Sequence, residues 1–253
     1  MRQSNEYINA VVKSINAISL RYGGEKVFRD WCELYALSLA NGCDLLHGET
    51  WQRRENRYLA IIKPYAEDSM VDALVKMCAD LVMAFETDPF QDHLGCIYME
   101  LFGGNKNLGQ CFTPIDVCRV CGQLTLNDLP TEPEHYPITI NDCACGGGAM
   151  LIAACKTYQE RGFDWQRKVK FYANDLDSLC VHMCYIQLSL LGCRAIVKQQ
   201  DTITQEVFDT FITPMEILWP STLGLESPKE PHPVRSPLTD SKQVVNIEIL
   251  IGG

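Results

Sequence analysis

Seven consecutive residues, Asp142-Cys143-Ala144-Cys145-Gly146-Gly147-Gly148, carry the densest chemical signal in the chain. Three glycines in a row let the backbone turn through positive φ and come close to a ligand. The alternating Ile138-Thr139-Ile140 precedes them and an apolar run from Ala149 to about Arg161 follows, so the loop joins a strand to a helix. Ligands of open α/β sheets lie at that carboxyl end of the strands. A dinucleotide site would seat a pyrophosphate there, against the helix N-terminus. Here the strand ends in Asp142, whose anion disfavours a phosphate and suits a cationic or zwitterionic ligand. The next two strands also end in acids, Asp175 and Asp201. An acid after the second strand is placed to accept hydrogen bonds from ribose hydroxyls. One after the third could take an exocyclic amine. The set points to a nucleoside ligand without phosphates; the lesser alternative for Asp175 or Asp201 taken singly is that it caps the helix that follows it.

The elements that must hold these residues change character along the chain. Residues 1–105 read as helices, with Val11, Val12, Ile15 and Ile18, then Trp31, Leu34, Tyr35 and Leu37, at three- and four-residue spacing. Gly23-Gly24 separates the first two helices, and Asn41-Gly42 ends the second. The spacing predicts a third helix from Trp51 to Lys63, stopped by Pro64, and a fourth opened by Glu67 and Asp68 and ended at Asp88-Pro89. Asp92 is placed to cap a short helix through Phe102. From residue 137 the pattern becomes strand, helix, strand, helix, strand. Its parts are Ile138–Asp142, Ala149 to about Arg161, Val169–Asp175, Ser178–Leu191, and Ala195–Val197 ending near Asp201. That alternation in about 65 residues is the signature of a parallel α/β sheet. Thr204 to Phe211 reads as a short helix and Val244 to Ile251 as one late strand. Five prolines between positions 220 and 237 mark a linker or surface arm.

The segment Asp142 to Leu151 resembles the S-adenosylmethionine motif of adenine-N6 DNA methyltransferases, in particular the modification subunits of type I restriction-modification systems, D-P-A-C-G-S-G-x-F/L-L. It departs at Cys143 for Pro and at Gly147 for Ser. Gly109-Gln110-Cys111-Phe112-Thr113-Pro114 is similar to the family's G-Q-F-F-T-P, which packs against the methionine part of the cofactor. Ala173-Asn174-Asp175-Leu176-Asp177 is similar to its G-x-E-I-N, and Gln200-Asp201-Thr202 to its G-D-T/S. Asp92-His93-Leu94-Gly95 leads into the F-T-P element as in that group. The resemblance covers about residues 85–210. It implies an α/β chain with a truncated, Rossmann-like, S-adenosylmethionine-dependent methyltransferase sheet. A helical N-terminal domain (1–105) precedes the sheet domain (106–218), and a Pro-rich arm (219–253) follows it. The implied cofactor is S-adenosylmethionine. The implied cofactor-binding residues are Phe112, Thr113, Pro114, Asp142, Ala144, Cys145, Gly146, Gly148, Asp175, Leu176, Asp201 and Thr202. The implied substrate is adenine in DNA, reached through a partner such as a specificity subunit or a second copy of the chain. From the residues alone, Thr113-Pro114 with Asp116 reads as a helix start, which leaves Phe112 free to lie against a ligand in the sheet cleft.

The family grips its extruded adenine with an N/D-P-P-Y/F tetrapeptide, and this sequence contains no Pro-Pro dipeptide. The expectation is therefore a cofactor-binding chain that is inactive alone, or a non-catalytic cofactor-binding accessory or DNA-processing protein, with no catalytic residue assigned. Asp88-Pro89-Phe90 has a partial likeness but lies before the glycine loop and reads as a helix stop.

Other constellations are weaker. Cys118-x2-Cys121 and Cys143-x-Cys145 could supply four thiolates to zinc. Cys118 and Cys121, however, fall in with the apolar face of the helix after Thr113, and buried free cysteine is common. The expectation is reduced thiols without metal. The five histidines are dispersed. Arg53, Arg54 and Arg57 form a small basic helix face, either solvated or a contact for DNA or a partner. Neither a G-x-S-x-G elbow nor a Cys/His pairing supports a nucleophile.

The 253 residues carry a net charge of −10. Ten cations face fifteen anions in 1–105, nine face thirteen in 106–218 and three face four in 219–253. With no basic segment, tight nucleic-acid binding by the chain alone is not expected. No apolar run approaches the roughly 20 residues of a membrane helix. No basic-then-apolar leader opens the sequence, and the 13 cysteines are odd in number. These features point to a reduced, cytoplasmic protein.

Overall fold

The computed structural model describes residues 2–103, 113, 115–126, 137–219 and 244–246, of which 2, 3, 124–126 and 244–246 are described as backbone. Helices come first: α1 (Arg2–Tyr22), α2 (Gly24–Cys43), α3 (Glu49–Glu67), α4 (Val71–Thr87), α5 (His93–Phe102) and α6 (Ile115–Leu126). Strand and helix then alternate through β1 (Ile138–Asp142), α7 (Ala149–Glu160), α8 (Trp165–Lys168), β2 (Val169–Asp175), α9 (Ser178–Leu190) and β3 (Arg194–Gln200). The series closes with β4 (Val207–Ile212), α10 (Pro214–Leu218) and β5 (Val244–Asn246). The result is a mixed α/β fold with a five-stranded sheet in the order β4-β3-β2-β1-β5. Neighbouring strands among β5, β1, β2 and β3 run parallel, in a register that sets Asp142 beside Ala173 and Asp175 beside Gln199. The carboxyl ends of β1 and β2, on which Asp142 and Asp175 stand, therefore lie on the same side.

Helix α9 is buried along its whole middle, from Leu179 to Leu188. A helix apolar on all sides must be packed on all sides. It lies on β2 and β3 and also meets α2 and α5. One continuous apolar core runs from Ile8 and Val11 on α1, through Phe28 and Trp31 on α2, to Phe171 on β2 and Phe211 on β4.

Three boundaries differ from those the sequence predicts. Helix α3 does not stop at Pro64 but runs through it to Glu67. A proline inside a helix forgoes one hydrogen bond and costs about 3 kcal/mol. The next residue, Tyr65, is fully buried, donates its hydroxyl to Asp30 and packs its ring 4.8 Å from Tyr22. Burial of that aromatic, with its hydrogen bond, is of the same order and keeps the last turn helical. Asp68 consequently ends α3 rather than opening α4, and its carboxylate takes the hydroxyl of Tyr22 and the guanidinium of Arg21. Lastly, 204–211 is not a helix. A turn with Gln205 at φ 64° leads into β4, antiparallel to β3, where Phe211 is buried against His182 and Tyr185. Valine, phenylalanine and threonine suit a pleated, half-buried surface, and pairing with β3 decides between the alternatives. Of the expected late strand, Val244–Asn246 forms, and 247–251 lie outside the described residues.

Candidate cofactor site at the glycine loop

Residues 142–148 form a compact turn between β1 and α7. Cys145 N–H donates to the carbonyl of Asn174 on β2 at 3.0 Å, and Gly148 N–H donates back to Cys145 at 2.8 Å. Gly148 sits in the left-handed region (φ 92°), and an added Cβ would lie 3.1 Å from Cys184 Sγ on α9. Only glycine permits both the angle and the approach. Helix α7 starts from that point.

The acids surround this turn in three different ways. Asp142 Oδ1 accepts from Ala144 N–H at 3.2 Å. Burial pushes its carboxyl up to about 6, the Ala144 N–H opposes this, and the charge of Asp175 adds to it. Asp175 holds the loop directly, with Oδ2 accepting from Gly146 N–H at 2.9 Å and Oδ1 from Asp177 N–H at 3.0 Å. Burial raises its pKa too, against those N–H donors. Asp201 binds only its own turn, with no helix behind it to cap. Its Oδ1 caps its own turn, accepting from Ile203 N–H at 2.8 Å and Thr204 N–H at 3.1 Å. These bonds, the one from Thr204 foremost, lower its pKa. Thr202 reaches across instead, donating its hydroxyl to the carbonyl of Cys143 at 2.8 Å.

Asp142, Ala144, Cys145, Gly146, Gly148, Asp175 and Thr202 are thus linked around one turn, with Asp201 adjacent to Thr202. Leu176 follows Asp175 and is exposed. Thr113 precedes α6 and its carbonyl accepts from Cys118 Sγ at 3.7 Å. Phe112 and Pro114 lie outside the described residues. Cys145 is buried, and its hydrogen bond to Cys184, followed by burial, raises its pKa well above the ordinary thiol value. A thiol so held stays protonated at neutral pH. Among the described residues, no group of three or more His, Cys, Asp or Glu is arranged to hold a metal.

Two contributors escaped the sequence reading. Gln187 lies in the middle of α9 at 0% exposure. It bonds the loop through Gly147 and bonds Asp92 at the head of α5. Arg29, from α2, pairs with both carboxylate oxygens of Asp177 at 3.2 and 3.4 Å, and Asp177 caps α9 through Leu179 N–H. Neither is marked by a local motif; both are read only from the packing of α2 and α5 against α9.

The basic face of α3 is occupied. Arg53 pairs with Asp209, Arg54 donates to the carbonyl of Thr210, and Arg57 pairs with Glu33. No helix among the described residues is long and apolar enough to cross a membrane.

Comparison with curated proteins found no match. Among solved structures, the type I restriction-modification system methyltransferase subunit from Streptococcus thermophilus is 13% identical, with a TM-score of 0.40. The alignment covers 80% of this chain and 60% of that one, so the chain spans less than two thirds of that subunit. The N-6 DNA Methylase family matches residues 90–218, which are 129 of the 253 and include α5, the glycine loop and the strands β1 to β4. By that match over half of its length, the chain belongs to the N-6 DNA Methylase family.

Proposed function

We propose that the chain binds S-adenosylmethionine at the carboxyl ends of β1, β2 and β3, and that it serves the transfer of a methyl group to adenine N6 in DNA. One observation carries the reading. Two desolvated carboxyls, Asp142 and Asp175, flank a left-handed glycine turn at the carboxyl ends of the parallel strands β1 and β2. Such a pair repels itself and every phosphate, and a cation beside it would relieve both costs. The ligand fits this arrangement because its sulfonium and ammonium are cationic and it carries no phosphate. When bound it would supply the activated methyl group. Asp142 would face the cationic methionine part. Asp175 would accept from ribose hydroxyls, Leu176 would lie against the adenine ring, and Thr202, with Asp201, would close the loop side. Phe112, Thr113 and Pro114 would pack on the methionine part. In this reading the sheet is a truncated, Rossmann-like methyltransferase sheet. The helical domain (1–105) precedes it, and the Pro-rich arm (219–253) follows.

Methyl transfer would need a partner, either a specificity subunit or a second copy of the chain. One feature favours a second reading, of a cofactor-binding accessory without chemistry. The strand beside β1, Val244–Asn246, is followed by Ile247-Glu248-Ile249 and not by Pro-Pro-aromatic. Unstacking a target base costs a few kcal/mol, and that sequence offers no aromatic wall to offset it. Incubation with methyl-labelled S-adenosylmethionine and unmethylated DNA, with and without products of neighbouring genes, separates the two. Label in DNA only with the partner supports the first. Cofactor retention without transfer under every combination supports the second. Retention by neither wild type nor mixture contradicts both.

A further inference from the structure

The glycine loop is held from beneath by a buried residue outside the loop, Gln187 on α9. Gln187 is an amide in the middle of α9, flanked by Tyr185, Ile186 and Leu188, and fully buried. An apolar side chain of that size would fill the site at lower desolvation cost, so the amide must be justified by its bonds. All of its polar groups are used. Oε1 accepts from Leu94 N–H at 3.1 Å, and Nε2 donates to the carbonyl of Gly147 at 2.7 Å and to Asp92 Oδ1 at 2.8 Å. Asp92 Oδ1 also accepts from Gly95 N–H at 2.9 Å, so the aspartate is held by two donors while it caps α5. The fit is close. A Cβ on Gly147 would stand 3.3 Å from Met183 and 3.4 Å from Asp92 Oδ1, and one on Gly95 would overlap the Asp92 carboxylate.

This anchor acts on the residue next to the one that Asp175 holds. Asp175 takes the N–H of Gly146, and Gln187 takes the C=O of Gly147. Two consecutive glycines have little conformational preference of their own. These two external bonds hold the peptide groups on either side, 145–146 through its N–H and 147–148 through its C=O, so they limit the turn the two glycines can make between them, and any ligand approaching the loop backbone meets that conformation.

Resting on the reading of the loop as the S-adenosylmethionine site, we propose that Gln187, backed by Asp92, is a positioning residue for cofactor binding. Through it the head of α5 sets the conformation of the glycine loop. The pair does not touch the ligand; it acts through Gly147.

The test uses the full chain and three substitutions. Gln187→Met keeps the volume and removes every bond. Gln187→Glu keeps the acceptor for Leu94 but loses both donors. Asp92→Asn keeps an Oδ1 acceptor for both of its donors. Calorimetric titration with S-adenosylmethionine is expected to show about tenfold or greater loss of affinity for both Gln187 variants, the scale for leaving buried polar groups unpaired. Asp92→Asn, which keeps these bonds, should lose less affinity than either Gln187 variant, and a loss as large as theirs would count against the part given to the bonds. Hydrogen exchange of the segment 143–149, measured without ligand, should quicken in the Gln187 variants while β2 stays protected. If Gln187→Met does not fold, Gln187→Glu decides. Wild-type affinity in either folded Gln187 variant overturns the proposal, as does quickening spread evenly over the sheet. A wild type that binds no S-adenosylmethionine sinks the cofactor reading instead, and exchange at 143–149 still reports whether Gln187 positions the loop.

Discussion

Asp142 is the residue whose environment says most about its ligand. Its carboxyl is held up to about 6, against about 4 in an unfolded chain, chiefly by burial. The native state therefore holds the proton more tightly than the unfolded state does. The stabilisation is complete below about pH 4 and is lost as pH rises through about 6. Without ligand, wild type should gain on the order of 2 kcal/mol over Asp142→Asn between pH 7.5 and pH 4.5, read from denaturant midpoints. A cationic ligand reverses the preference, because it favours the ionised carboxylate. S-adenosylmethionine affinity should fall as pH drops below about 6, and Asp142→Asn should bind weakly with a flat profile. A pH-independent wild type would separate Asp142 from the ligand. That Asp142 and Asp175 meet at one loop was legible in the sequence, since each ends a recognisable strand. The use of Asp201 was not, because its carboxylate serves Ile203 and Thr204 in a tight turn that Gln205 completes at positive φ.

At the scale of elements, α9 is the piece against which the loop is moulded, and Gly148 is the point of contact. Gly148→Ala should destabilise the fold by about 2–4 kcal/mol. About 1–2 comes from the left-handed backbone and the rest from overpacking against Cys184. The double variant with Cys184→Ala should recover the packing share but not the backbone share in urea unfolding. Full recovery would show that the φ of Gly148 carries no strain for alanine. The alternating elements from 138 to 200 were readable because their periods are clean and glycines or acids punctuate them. Helix α3 was misread at Pro64 because a local rule yields there to Tyr65, whose burial depends on α1 and α2. The segment 207–212 was misread because six residues rich in valine, phenylalanine and threonine have no decisive period until β3 lies beside them.

The whole molecule is acidic, with a net charge of −10, and the arginines that might have offset this are already paired. Duplex DNA should not be retained by the chain alone in a low-salt mobility shift, where weak electrostatic binding would be strongest. Arg57→Ala should leave that result unchanged and cost no more than about 1 kcal/mol of stability, since its ion pair with Glu33 is half exposed. Salt-sensitive retention lost on that substitution would restore the basic face as a DNA contact. The helices of 1–105 were legible one by one, but their role was not, because the ties Arg29–Asp177 and Asp92–Gln187 join residues about a hundred positions apart or more. The central claim is that this assembly holds S-adenosylmethionine, and calorimetric titration of the intact chain tests it most directly. Wild type should bind at a single site, and Asp175→Ala, which loses the anion proposed to face the ribose and the bond to Gly146, should bind about 1–3 kcal/mol more weakly. A wild-type titration without binding heat at any temperature, or equal affinity in Asp175→Ala, would contradict the account.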